Sequence, residues 1–213
     1  MEPFLALGLL IKGLVVGVLS SAPMGPVGVL TVQRTLNKGR WYGFVTGVGA
    51  TLSDFVYAMV AALGIGLVME FIERPQSLLS LKVGGALMLF AFGVYTFLST
   101  PAANRPASQR KGTLMHNGIT GFLVTFSNPL ILLLFLALFA RFDFVVPGHP
   151  VEQTIGFLGF VAGALVWWLF LTGIVDKVRN RFCMETIRRI NRIIGLVVIV
   201  AAVLGLLYTL MLR

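Results

Sequence analysis

The chain is 213 residues long, 57% hydrophobic and only 12% charged, with a mean hydropathy of +0.93. A soluble domain carries about 25% charged residues, and here the charges also cluster and leave long uncharged runs, which excludes a soluble core and leaves no room for a separate soluble domain. A formal charge of +9 would suggest nucleic acid in a soluble protein, but the placement of these charges sets a membrane orientation instead.

A spanning helix needs roughly 20 mostly apolar residues, and six segments qualify. The first runs over Phe4–Thr31 and contains Pro23-Met24-Gly25-Pro26. The start, Met1-Glu2-Pro3, lacks the basic region of a signal peptide, and Lys12 interrupts the apolar stretch, so this segment reads as a retained helix. Lys12 lies toward its outer end, where it is expected to snorkel to the interface; helix rise puts it at a different depth from Asp54. The second helix, Trp41–Met69, carries Asp54, and the third runs over Ser77–Ser99. The link from Thr100 to Thr113 is rich in Pro, Asn, Ser and Arg and reads as a hinge. The fourth helix, Leu114–Ala140, contains Asn128-Pro129; Thr154–Val175 and Ile193–Leu212 complete the set. The fold class is therefore an all-α integral membrane protein with six transmembrane helices.

Lys and Arg concentrate in alternate links. Arg34, Lys38 and Arg40 follow the first helix, Arg105, Arg110 and Lys111 the third, and Lys177, Arg179, Arg181, Arg188, Arg189 and Arg192 the fifth. Cytoplasmic loops carry the Lys/Arg excess, so both termini are expected outside. Residues 1–99 and 114–213 each hold three helices, joined by a linker at 100–113. An odd number of spans forces the halves into opposite orientations. Gly43-Phe44-Val45 resembles Gly156-Phe157-Leu158, and a mid-span proline recurs in the first helix of each half. Together they form a single transporter domain of two inverted three-helix repeats.

Proline in a helix interior removes a backbone donor and clashes with the preceding turn. Hydrocarbon cannot solvate the freed carbonyls, so such a break persists only where protein or a water-filled cavity surrounds it. Two breaks, one per half, point to a central binding site built from Pro23, Gly25, Pro26, Asn128 and Pro129. Helix geometry assigns the freed carbonyls to Leu19, Ala22 and Thr125. Ser20, Ser21, Thr125 and Ser127 surround the breaks as supporting groups. Asp54 lies roughly 20 Å from either end of its helix at 1.5 Å per residue. A carboxylate there costs about 2.5–3.5 kcal/mol, so it must face the interior. Gly39, Gly43, Gly47, Ala50 or Thr51, Asp54 and Ala58 share one helical stripe of small residues that allows close packing. Burial disfavours a charged carboxylate and a nearby ammonium favours it, so proton and substrate compete for such a group. The positive end of a half-helix suits an anion and free carbonyls suit a cation, a combination that matches a zwitterionic amino acid.

The stretch Ala22-Pro23-Met24-Gly25-Pro26, followed by Gly39, Gly43, Gly47, Gly49, Asp54 and Ala62-Leu63-Gly64, resembles the LysE/RhtB family of bacterial amino-acid exporters. Leu81-Lys82-Val83-Gly84-Gly85, Asn128-Pro129 and Gly195 also match. The resemblance covers nearly the whole chain. It implies six helices, a multi-pass inner (plasma) membrane location, export driven by the proton-motive force, and paired breaks lining the route. Val27-Gly28 stand where Gln-Asn often follows the first motif, and Leu130 stands where a Lys commonly follows the second.

The expected function is a secondary transporter exporting an amino acid or related small metabolite by proton antiport with alternating access. Its partners are the substrate, protons and the bilayer, with no nucleic acid and no cofactor. The Gly-rich faces serve either internal packing or a homo-oligomer. A metal-cation transporter is the alternative, but such sites usually offer several oxygen, imidazole or thiolate ligands and only one acid lies deep in the spans. A membrane enzyme or thiol shuttle would need a cysteine pair; Cys183 is alone.

Overall fold

The computed structural model describes residues 3–23, 25–71, 75–98, 112–128, 130–178 and 184–211, and every regular element among them is an α-helix. Met24, Pro129 and most of the expected linker lie outside the described residues. In chain order the helices are α1 (Pro3–Ser21), α2 (Pro26–Lys38), α3 (Arg40–Phe71), α4 (Pro75–Leu98), α5 (Leu114–Phe126), α6 (Leu130–Phe142), α7 (Pro150–Lys177) and α8 (Met184–Met211).

The expected first and fourth helices are each two helices. A residue before proline is pushed out of the helical region, and Ala22 leaves the helix after its N–H bonds the Val18 carbonyl at 2.9 Å. Pro26 then restarts the chain in the first turn of α2, where its missing N–H has no cost, with Gly25 as N-cap. The first break comes later than a mid-span position, because α1 alone is 19 residues long. In the second half, α5 and α6 are bent by 75° across residues 127–129.

Gly39 is not part of the small-residue stripe on α3. It adopts φ +112 and ends α2, its N–H bonding the carbonyls of Arg34 and Thr35 at 3.2 and 3.1 Å. That left-handed backbone suits glycine and lets α3 begin at the next residue. The starts of α7 and α8 depart most from the expected bounds, both earlier. α7 opens at Pro150, a proline tolerated in a first turn. α8 opens at Met184 instead of Ile193, because the basic run before its apolar stretch is itself a good helix former.

α1 packs most extensively on α7, α3 on α5, and α4 on α8. Glycine makes the first two contacts close. A side chain at Gly17 would overlap the Phe160 carbonyl, and one at Gly163 the Leu14 carbonyl. On the other pair, Gly49 lies against Gly118 and Gly121 against Thr46. Gly17, Gly49, Gly121 and Gly163 thus serve internal packing. Beside them, Phe135, Phe139, Phe144, Phe157 and Phe160 form an aromatic core where α6, α7 and their connection meet, with Phe139 and Phe144 stacked at 4.6 Å.

Among the described residues, Pro3–Ser21, Arg40–Ile65 and Pro150–Lys177 are long and apolar enough to cross a membrane, and α5 with α6 adds a fourth if the bent pair is one span. The molecule is a helical integral membrane protein. Gly17→Leu and Gly121→Leu should lower the thermal midpoint in detergent, with overpacking costing about 1–3 kcal/mol or more. Gly8→Leu, where a side chain meets nothing within 4 Å, should leave it unchanged.

Candidate functional site

The two breaks meet at one cavity of about 70 Å³. Ser20, Ser21, Pro23, Gly25 and Pro26 reach it from the first break, Thr125 and Asn128 from the second, and Asp54 from α3 between them. Val27, Phe92, Tyr95, Thr96, Val124, Ile131, Leu134 and Trp168 complete its wall. Residues far apart in sequence converge here because α3 is packed against α2, α5, α6 and α7.

The small-residue stripe on α3 explains where Asp54 points. Gly43 leaves room for the Thr35 side chain of α2, and Gly47 for the ring of Trp168 on α7. Two stripe positions further along the same face, Asp54 is 6% exposed. No described residue gives its carboxylate a hydrogen bond or an ion pair. The hydroxyls of Ser21 and Thr125 and the indole N–H of Trp168 are also buried without a partner among the described residues. Buried polar groups nearly always find partners. Three that do not, beside the Asp54 carboxylate, give this cavity polar groups with no partner among the described residues.

The breaks add backbone groups. Glycine at the N-cap gives α2 no side-chain acceptor, and first-turn N–H groups have no acceptor within their own helix. No described residue donates to the carbonyls of Leu19 or Ala22. The second break differs from expectation. The Thr125 carbonyl is not free, since it accepts the Asn128 N–H at 3.0 Å. The Asn128 side-chain oxygen accepts the Leu130 N–H at 3.2 Å and caps α6. The Tyr57 hydroxyl of α3 donates to the Phe126 carbonyl at 2.6 Å and satisfies another terminal group of α5.

Two supporting residues are not at the cavity. Thr51 donates back to the Gly47 carbonyl at 3.0 Å, and Ser127 to the Leu123 carbonyl at 2.7 Å. Each bond stays within its own helical stretch. Pro129 lies outside the described residues. Lys12 donates to the Asp143 carbonyl at 3.1 Å, in the α6–α7 connection, and does not pair with Asp54.

The cavity wall contributes residues that sequence reasoning did not place at the site, Trp168 above all. Arg34 is the larger omission. Read as a loop charge, it lies in α2 and is only 6% exposed. Its Nη1 donates to the Thr46 hydroxyl of α3 at 2.9 Å and to the Asn117 carbonyl of α5 at 2.7 Å. Thr31 and Thr35, within one turn of it, are fully buried. Their spacing is a signal that could have placed Arg34 on an inward face.

The family model for LysE type translocators matches residues 18–209. The chain is 24% identical over 190 residues to "Putative amino acid efflux protein YcgF" of Bacillus subtilis, covering 88% of this chain and 90% of that protein. It is 26% identical over 184 residues to "Uncharacterized membrane protein YahN" of Escherichia coli, covering 84% and 80%. A third relative, "Uncharacterized membrane protein PA4757" of Pseudomonas aeruginosa, is 26% identical over 160 residues, covering 70% and 72%. No solved structure matches the chain.

Arg34 ties α2 to both halves with bonds from a charged donor, each worth about 1.5–3 kcal/mol. Arg34→Ala should lower the thermal midpoint in detergent. In a Cys183→Ser background it should also raise maleimide labelling of a cysteine placed at Thr46. Arg34→Lys should fall between, because an ammonium lacks the guanidinium's fixed fork.

Proposed function

The chain belongs to the LysE type translocator family, and we propose that it is a secondary exporter of an amino acid, working by proton antiport with alternating access across the bacterial inner membrane. The observation that carries this reading is the single cavity holding both helix breaks and Asp54. Its coarser part, a membrane transporter and not an enzyme, follows from the family.

In this reading the substrate's ammonium lies against Asp54 and the carbonyls at the end of α1. Its carboxylate lies against the first turn of α2, whose dipole is positive at that end. A proton on Asp54 and an ammonium beside it exclude each other, so release of one accompanies uptake of the other. Ligand pockets usually run roughly 300–1,000 Å³. A cavity of about 70 Å³ suits a contracted state of the cycle, which opens as the halves rock. Arg34, bridging α2 and α3 to α5, is the contact that opening toward the basic side must break.

The proposed architecture is six spans in two inverted three-helix repeats with both termini outside. Exchanging the halves turns α1 on α7 into α5 on α3 and leaves α4 on α8 unchanged, and these are the three most extensive packings observed. The basic links lie in the cytoplasm by their charge. The name of the B. subtilis relative, an amino acid efflux protein, supports the substrate class.

Asp54→Asn keeps size and polarity but removes the charge. Efflux from loaded cells should fall by about tenfold or more at matched expression, from the loss of about 1.4 kcal/mol or more of differential binding. Unchanged efflux that still responds to the proton gradient would remove Asp54 from the coupling role.

A further inference from the structure

We propose that the cavity takes α-amino acids with an uncharged side chain and rejects those whose side chain is cationic or anionic. This rests on the exporter reading and sharpens its substrate. Among the described residues that line the cavity, Asp54 is the only acidic or basic one. An α-amino acid brings two charges. Asp54 answers the ammonium, and the uncapped first turn of α2 answers the carboxylate. A third charge, from lysine, arginine, aspartate or glutamate, finds no counter-group among the described residues of its wall.

Other charged residues do not fill that role. Arg34 lies about 12 Å further along α2 by helix rise, and its Nη1 is held by Thr46 and Asn117. Lys12 reaches the Asp143 carbonyl instead of the cavity. A charge taken out of water without a partner is strongly disfavoured. The remaining wall gives an uncharged side chain what it needs. Phe92, Ile131 and Leu134 offer apolar contact. The unpartnered hydroxyls of Ser21 and Thr125 and the indole N–H of Trp168 accommodate one neutral polar group. The Trp168 ring is held in place against Gly47, where a side chain would overlap it, so the wall is rigid on that side.

The test is uptake of labelled amino acids into proteoliposomes containing the full chain, with a proton gradient imposed. Amino acids with neutral side chains should be transported, and lysine, arginine, aspartate and glutamate should move on the order of a hundredfold more slowly. Thr125→Asp adds an acid at the wall and should bring lysine transport up at least about tenfold relative to neutral substrates. Transport of lysine or glutamate at the neutral rate, abolished by Asp54→Asn, would overturn this assignment and leave the exporter reading standing. Thr125→Asp protein that still moves neutral amino acids but gains no lysine transport would likewise overturn it. Silence toward every amino acid would overturn both readings.

Discussion

A helix broken within an apolar bundle has to have its loose backbone groups satisfied by protein, because hydrocarbon offers them nothing. This constraint organises the molecule. Both breaks are gathered against α3, whose Tyr57 binds the last turn of α5 and whose Asp54 lies between the two interruptions. The glycines of α3 follow from the same need. Gly43 admits Thr35 and Gly47 admits Trp168, so the backbones that carry the breaks come close enough to share one cavity.

Charge is distributed to match. Asp54 lies at the cavity, and Lys and Arg concentrate in alternate links of the sequence. Arg34 stands between these regions, buried against a hydroxyl and a carbonyl instead of a carboxylate. A buried guanidinium held only by neutral groups is bound less tightly than one in an ion pair. In the proposed transport cycle such a contact is suited to a joint that forms and breaks, and Arg34 joins α2 to α3 and α5.

The readable parts of the site were those written in local chemistry. Pro23, Pro26 and the Asn128-Pro129 pair announce breaks because proline in a helix interior removes a backbone donor and clashes with the preceding turn. Asp54 was readable because helical periodicity ties its direction to Gly43, Gly47 and Ala58. The unreadable parts depended on partners. Thr51 shares the stripe nearly as well as Asp54, yet its hydroxyl bonds its own helix, an alternative that spacing does not distinguish. Ser127 and the Thr125 carbonyl were consumed by the turn that ends α5. Gly39 looked like a stripe member and is a turn, since a positive φ leaves no trace in a glycine's identity. Trp168 and Trp167 differ by 100° around a helix, and only the seat of α7 on α1 and α3 chose between them.

The sequence by itself determined the membrane class, the number and place of the interruptions, the face on which the deep acid lies, and the family. These follow from composition and from backbone rules that act within a few residues. Only the tertiary structure decided that Trp168 and not Trp167 lines the cavity, that Lys12 reaches the Asp143 carbonyl, and that Arg34 closes onto α3 and α5. Those outcomes depend on how helices distant in sequence approach each other. That approach is set by which glycine faces which backbone, a pairing that neither helix encodes alone.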